Sequence, residues 1–317
     1  MENYPTKKYD KENTSLEKKI KYVLYTDTRS LHGTILHYYH FFYAMFVPLI
    51  LEYVKTKNKN PDKHIVLIID TKVGAMFRIL AELPLDIRIK KMMTDYDKLI
   101  VKTKYLVVMD IHPSVTDQDT TSRDAKLIDK GYARRITKND IQIVNNFMQD
   151  CIMNNDLVLD RSNNYDIVII VRKVNIFYNS ENYRFGKKSD IRLNGAQKRS
   201  IPNITEIFAM VKKMFPKKRI IIISLDVLPI FIQYQLFHNA ELIIAQHGAS
   251  LANIIFMKPH STLIEIINRQ KYNEERWFVP LTAISDVKHV EHVTEESHSV
   301  IDLNEFKSVV LKNYPRK

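Results

Sequence analysis

The stretches YDIVIIVRK (165–173), RIIIISLD (219–226), ELIIAQ (241–246) and TLIEII (262–267) set β-branched residues side by side with almost no polar alternation. A strand that meets water on one face alternates, whereas strands covered on both faces stay apolar throughout and belong to parallel sheets flanked by helices. Between these runs lie segments of helical spacing: one beginning near Asn203, LPIFIQYQLFHN (228–239), and one near Ala252. The first half has the same order, with KYVLYT (21–26), a helix from about Leu36 to Lys55, HIVLIID (64–70), a helix after Thr71, DIRIKK, YLVVMDI (105–111) and a longer helix around Lys138 to Met153. Two successive β/α series predict an α/β protein of two Rossmann-like domains facing a cleft. The polar NNDLVLDRSNN sets the boundary, giving domains of 1–158 and 159–317, with the last helix free to pack back on the first.

With 317 residues and 45% apolar content the chain can fill two cores. Its single cysteine, Cys151, excludes a disulfide framework and an all-cysteine metal site and favours a reducing compartment. The N-terminal MENYPTKKYDKENTSLEKK lacks the apolar core of a secretory signal. The longest apolar run, Phe41 to Leu51, contains Pro48 and falls short of the roughly 20 residues that span a bilayer. Cytoplasmic residence without a transmembrane segment is therefore expected. Abundant Lys, Asn, Ile and Tyr beside six Gly point to an AT-rich genome, such as that of a large DNA virus in a host cytosol. The net charge of +12 attracts polyanions and phosphate-bearing molecules. Much of the excess, however, lies in scattered lysines such as Lys55, Lys57, Lys59, Lys212, Lys213, Lys217 and Lys218, which read as solubilising faces. Charge alone supports no nucleic-acid partner.

The glycines stand at 33, 74, 131, 186, 195 and 248, so neither G-x-G-x-x-G nor a Walker loop can be written. Gly248 is spent just past the strand Leu242, Ile243, Ile244, within AQHGASLAN, which implies a close approach of backbone to something. Open α/β sheets bind ligands at the carboxyl ends of their strands, and His247-Gly248-Ala249 occupies such an end. Phosphate oxygens could there meet backbone N–H groups and the positive end of the next helix, with Ser250 or Asn253 adding a side-chain donor.

QYQLFHNAELIIAQHGASLANIIFMKPHSTLIEI resembles the signature of glycosyltransferase family 61 through Gln233, Ala240, His247, Gly248, Ala249, Leu251, Asn253, Phe256, Pro259, Glu265 and Ile266. RSIPNITEI is similar to that family's Arg-x-Ile-x-Asn-x-x-Glu element at Arg199, Ile201, Asn203, Glu206 and Ile207, and VIIVRK to its strand ending in arginine, here Arg172. The aromatic HYYHFFYAMFVPLI resembles an N-terminal His-aromatic helix of the same family. The resemblance implies a GT-B fold and an activated nucleotide-sugar donor, with UDP the first expectation. It also implies inversion at the anomeric carbon, no obligatory metal or cofactor, and a glycan or glycoprotein acceptor.

In that setting Arg172, Arg199, His247, Gly248, Ala249, Ser250, Asn253 and Glu265 are the candidate donor-binding residues, the guanidiniums offering bidentate forks for a pyrophosphate. Glu265 inside an apolar strand needs a partner, either ribose hydroxyls or a cation, or else a buried structural pair. Asn203 and Glu206 have the spacing of a helix-capping box. An inverting transfer needs a base within reach of the acceptor hydroxyl. Relatives place an acidic residue a few positions after the N-terminal histidine, but Phe41, Phe42, Tyr43 and Ala44 follow His40, so His40, His37, Asp27 and Asp110 remain as a group of candidates, with His112 beside Asp110. Asp117-Gln118-Asp119 has the form of a metal-binding D-x-D but lies in a Ser/Thr-rich loop and reads as solvated. The rival readings are an inactive nucleotide- or glycan-binding protein of the same fold and, on charge alone, a nucleic-acid binder.

Overall fold

A computed structural model describes residues 20–26, 38–69, 76–89, 110–112, 133–154, 164–173, 199–226, 228–274 and 277–314. In the first half, β1 (Ile20–Thr26), β2 (His64–Ile69) and β3 (Asp86–Ile89) form a parallel sheet in that order. Two short strands, β4 (Asp110–His112) and β5 (Ala133–Arg135), pair in parallel beside it in sequence. The aromatic segment is a continuous helical run: α1 (Tyr38–Phe41), a π-helical turn (Phe42–Phe46) and α2 (Val47–Lys59). The wider turn comes just before Pro48, whose ring has no N–H to give, and Val47 N–H instead reaches back to the Phe42 carbonyl.

The second half carries β6 (Ile167–Ile170), β7 (Ile220–Ile223), β8 (Leu242–Gln246), β9 (Thr262–Asn268) and β10 (Lys288–Thr294), all parallel, in spatial order β10-β9-β8-β6-β7. Two buried clusters account for the unbroken apolar runs. Ile167, Ile169, Leu242, Ile244, Ile264 and Ile266 face α5 (Ile204–Met214) and α9 (Leu303–Asn313), while Val168, Ile170, Ile243, Ala245 and Leu263 face the other side. On that second side lie α6 (Ile230–Asn239), a 3-10 turn (Ala249–Phe256) and α8 (Phe278–Ile284), which follows α7 (Arg269–Glu274). Neighbouring residues of one strand thus serve opposite layers, so the strand interiors are apolar apart from Glu265 of β9.

The second of these clusters also takes in Phe41, Phe42 and Phe46, Ile65 and Leu67 of β2, and Val144 and Met148 of α4 (Lys138–Asn154), so residues on both sides of position 158 share one core. Polar links follow the same seam. Asn145 of α4 donates to the Ile255 carbonyl at 2.7 Å, and Glu82 of α3 (Phe77–Glu82) accepts the Ile230 N–H at 2.5 Å, which supplies α6 with the cap that Pro229 cannot give. Among the described residues the last helix, α9, lies on α5 and β10 and not on the first half, with Phe306 and Val310 buried there. Strand β10 is absent from the sequence reading above, and the helix expected near Ala252 is a 3-10 turn. Among the described residues no helix is long and apolar enough to cross a membrane.

Candidate functional site

The spatial order of the large sheet reverses between β6 and β8, its first and third strands in sequence, and the crevice beyond the carboxyl ends of such a pair is where open α/β sheets hold ligands. Arg172 follows β6 and His247 follows β8, so both stand at that switch point. Arg199 arrives from the segment before α5 and bridges to the C-terminal part through the Ser200–His298 pair. Both guanidiniums point one Nη1 at the same acceptor, the His247 carbonyl, at 3.1 Å from Arg172 and 3.0 Å from Arg199. Burial first, and then Arg199 beside it, bring the Arg172 guanidinium down to about 10, against the opposing pull of Asp226. Two cations held side by side and partly desolvated are an arrangement that an anion would relieve.

Gly248 makes room for this. Its φ of 168° is ordinary extended backbone, but a Cβ built there would come 1.8 Å from Arg172 Nη1. The constraint is thus one of space and not of conformation: the Arg172 guanidinium, the far end of a flexible side chain, lies where any side chain at 248 would stand. Beyond it Ala249 is exposed and Ser250 half-buried, so the first residues of the 3-10 turn border the crevice.

Directly behind the turn, the His247 ring donates from Nδ1 to Glu265 Oε1 at 2.6 Å, and His289 of β10 lies with Nε2 2.8 Å from the other oxygen, Oε2. Glu265 is buried at the centre of β9, level with Ala245 on one side and Glu291 on the other. Burial works to raise its pKa, but the hydrogen bonds from His247 and His289 outweigh that and leave the carboxyl below the usual range. Glu265, His289 and Glu291 bring ligand-type atoms within 4.8 Å of one another. Because each Glu265 oxygen already faces an imidazole nitrogen, we read the group as a hydrogen-bonded cluster. Phe278 of α8 covers the His247 ring at 5.3 Å between centroids.

Asn253 takes a different place. It is fully buried, and its Nδ2 donates to the Ser250 carbonyl and to Gln233 Oε1, each at 3.1 Å, while its Oδ1 accepts from the Tyr38 hydroxyl at 2.7 Å. Gln233 in turn donates to the Leu228 carbonyl at 2.9 Å. With Tyr43 donating to the Ala252 carbonyl at 2.8 Å, these amides bind α1 and the π turn to the 3-10 turn. The capping box expected at Asn203 and Glu206 does not form. The Asn203 amide instead pairs both ways with the Ile301 backbone, at 2.8 and 2.9 Å, tying the start of α5 to the start of α9.

Of the base candidates, His40 is half-buried on α1 and edge-on to Tyr39, whose ring also meets Phe278 and Trp277; a chain of ring contacts thus leads from His40 to His247. Asp110 and His112 lie on β4, which runs beside the π turn. Asp27 and His37 lie outside the described residues, as do Asp117 and Asp119. The residue that sequence reasoning missed is His289, because the strand carrying it was itself not seen.

Fold and site together define an α/β protein with a basic, carboxylate-backed turn at the switch point of a parallel sheet. The chain belongs to glycosyltransferase family 61: the model of that family, Glycosyltransferase 61, matches residues 24–264, and the protein is a glycosyltransferase. No curated protein matches the chain. Among solved structures it is similar to the crystal structure of the glycosyl transferase family 9 from Veillonella parvula DSM 2008, at 11% identity and a TM-score of 0.32, covering 95% of this chain and 91% of that one.

Proposed function

We propose that the protein transfers a sugar from a nucleotide-sugar donor, UDP-linked, to a glycan or protein acceptor, with inversion and without a metal, in a GT-B arrangement whose halves meet near position 158. The observation that carries this reading is the convergence of Arg172 and Arg199 on the His247 carbonyl at the switch point. A diphosphate in the crevice would meet both guanidiniums and the first amides of the turn at Ala249 and Ser250, which together neutralise the charge that grows on the leaving group. These cations are built into the chain, so the countercharge does not depend on an added ion. The acceptor hydroxyl approaches from the side of α1, and its proton goes to a member of the His40, His37, Asp27, Asp110 group or to a residue beside them.

Thermal shift with UDP, UDP-sugars, GDP and CDP tests the donor site. A ligand at 100 times its dissociation constant stabilises by about 2.7 kcal/mol. No shift with any nucleoside diphosphate would refute the reading. A shift without turnover on any acceptor would favour the binding-protein alternative, which the missing carboxylate after His40 keeps in view.

A further inference from the structure

We infer that His289 is a positioning residue for His247, acting through Glu265, and that it keeps His247 a neutral imidazole with the proton on Nδ1 and the lone pair on Nε2. Three observations bear on it. Glu265 is buried with one oxygen on each imidazole, 2.6 Å from His247 Nδ1 and 2.8 Å from His289 Nε2. An ionised carboxylate only accepts, so both of those nitrogens carry hydrogen. The remaining nitrogen of His289, Nδ1, is buried without a partner, a position that suits a lone pair better than an N–H, so Nε2 is the nitrogen of this ring that donates to Glu265.

Whether His247 holds one proton or two then depends on the charges around it. Arg172 and Arg199 both sit on its own carbonyl and disfavour a third cation there. Glu265 favours one, but its charge is divided between two N–H donors, and Glu291 of β10 adds a further negative group at the edge of the cluster. The 3-10 turn and α8, which pack against the ring, bring no titratable side chain, and α1 brings Tyr38, Tyr39 and His40. His289 thus tempers the pull of Glu265 on the His247 proton. Carboxylate-held imidazoles owe their tautomer to the same kind of bond.

The consequence for the substrate rests on the donor site proposed above. A neutral imidazole with its lone pair at Nε2 accepts and does not donate there, so its chemistry suits a hydroxyl and not a phosphate oxygen, and phosphate oxygens fall to Arg172 and Arg199. Nitrogen-15 spectra of the imidazoles in the full chain, with the His247 signals identified by their loss in His247→Gln, test the first part without any substrate. The expected result near neutral pH is a protonated Nδ1 and a bare Nε2. His289→Phe should raise the pH at which His247 gains its second proton by about one unit, and His289→Gln, which keeps an N–H donor at that position, should restore it. Two protons on His247 in the unaltered protein, or a proton on Nε2 alone, would overturn the inference, as would a folded His289→Phe with an unchanged titration. If His289→Phe does not fold, the spectrum of the unaltered protein decides. In the transfer assay the acidic limb of kcat/KM should move with the same substitution while the UDP-induced thermal shift stays, a split that a merely structural residue would not produce. Inorganic pyrophosphate should bind His247→Gln as well as it binds the unaltered chain; a large loss would assign the ring to phosphate. If no nucleotide sugar binds at all, the donor reading fails, and the nitrogen spectra still judge the positioning role.

Discussion

Gly248 lies beneath the guanidinium of Arg172, so close that a Cβ at 248 would come 1.8 Å from Nη1 and 3.1 Å from Cζ. The side chain of Arg172 therefore lies in space left open by the missing side chain of a residue 76 places further along the chain. Gly248→Ala should displace the guanidinium and break its bond to the His247 carbonyl without disturbing the extended backbone. Loss of one such charged donor costs on the order of 100-fold in rate. Circular dichroism should be unchanged, the UDP-induced thermal shift should shrink, and Arg172→Ala should reproduce both results. Full activity in Gly248→Ala would mean that Arg172 does not act where it lies.

Asn253 offers a test that separates architecture from donor binding. Its amide is shared among Tyr38, Gln233 and the Ser250 carbonyl in a fully buried position. Asn253→Ala would leave several of those groups unsatisfied, at about 1–3 kcal/mol for each orphan. Urea unfolding should show a large loss, and Tyr38→Phe, which removes one hydroxyl and leaves the amides paired with each other, a smaller one. Unchanged stability with lost UDP binding in Asn253→Ala would return the residue to the donor site.

Strands β6, β8 and β9 were readable because both faces of each are covered, and the half-buried edge strand β7 because its isoleucines pack against both clusters, so the sequence carries runs of β-branched residues there. Strand β10 was not. KHVEHVT sets only two valines among polar residues at the sheet edge, with neither an unbroken apolar run nor an alternation to mark it, and the placement of His289 and Glu291 beside Glu265 emerges only from the register with β9. The identities of Arg172, Arg199, His247 and Glu265 were legible as chemistry, but not their joint arrangement: the shared target of the arginines is a backbone carbonyl, and the partners of Glu265 stand 18 residues before it and 24 after. Asn253 misleads for a similar reason. A polar residue at a strand-to-helix turn looks like a ligand donor until Tyr38, 215 residues away, is seen to occupy it.

The start of α4 carries a pH-dependent share of stability. Asp140 accepts from the Thr137 N–H and hydroxyl, each at 2.8 Å, and from both Nη atoms of Arg134 at 2.7 and 2.9 Å, while Thr137 Oγ1 accepts from the Asp140 N–H at 3.2 Å. Burial works to raise this carboxyl, but Arg134 and Thr137 more than offset it and hold it below the ordinary aspartate range. A folded-state depression means that the unfolded chain binds the proton more readily. The contribution is thus complete above the unfolded value of about 3.9 and fades as pH falls through the lower folded value. Asp140→Asn should cost about 1–2 kcal/mol near neutral pH, and the difference between the two proteins should close in acid. A gap that stayed constant to pH 2 would place the effect in packing and not in charge.

The last prediction concerns metal. Diphosphate departure needs countercharge, and a chain can supply it with a bound divalent ion or with fixed cations. In this protein Arg172 and Arg199 stand together at the switch point, held by one carbonyl and bordered by the first residues of the 3-10 turn. Transfer should therefore persist in EDTA, and Asp117→Asn combined with Asp119→Asn should change it little. The group with the spacing to take an ion, Glu265 with His289 and Glu291, gives a second handle. If it served as a metal centre, Glu291→Gln would weaken activity in step with metal affinity, and added manganese or zinc would shift the melting temperature of the unaltered chain. If it is the hydrogen-bonded cluster described here, Glu291→Gln should leave the EDTA-treated rate almost unchanged, because Glu265 keeps both imidazoles. Complete loss of transfer in EDTA, restored by manganese or magnesium, would overturn the assignment of the countercharge to the two arginines.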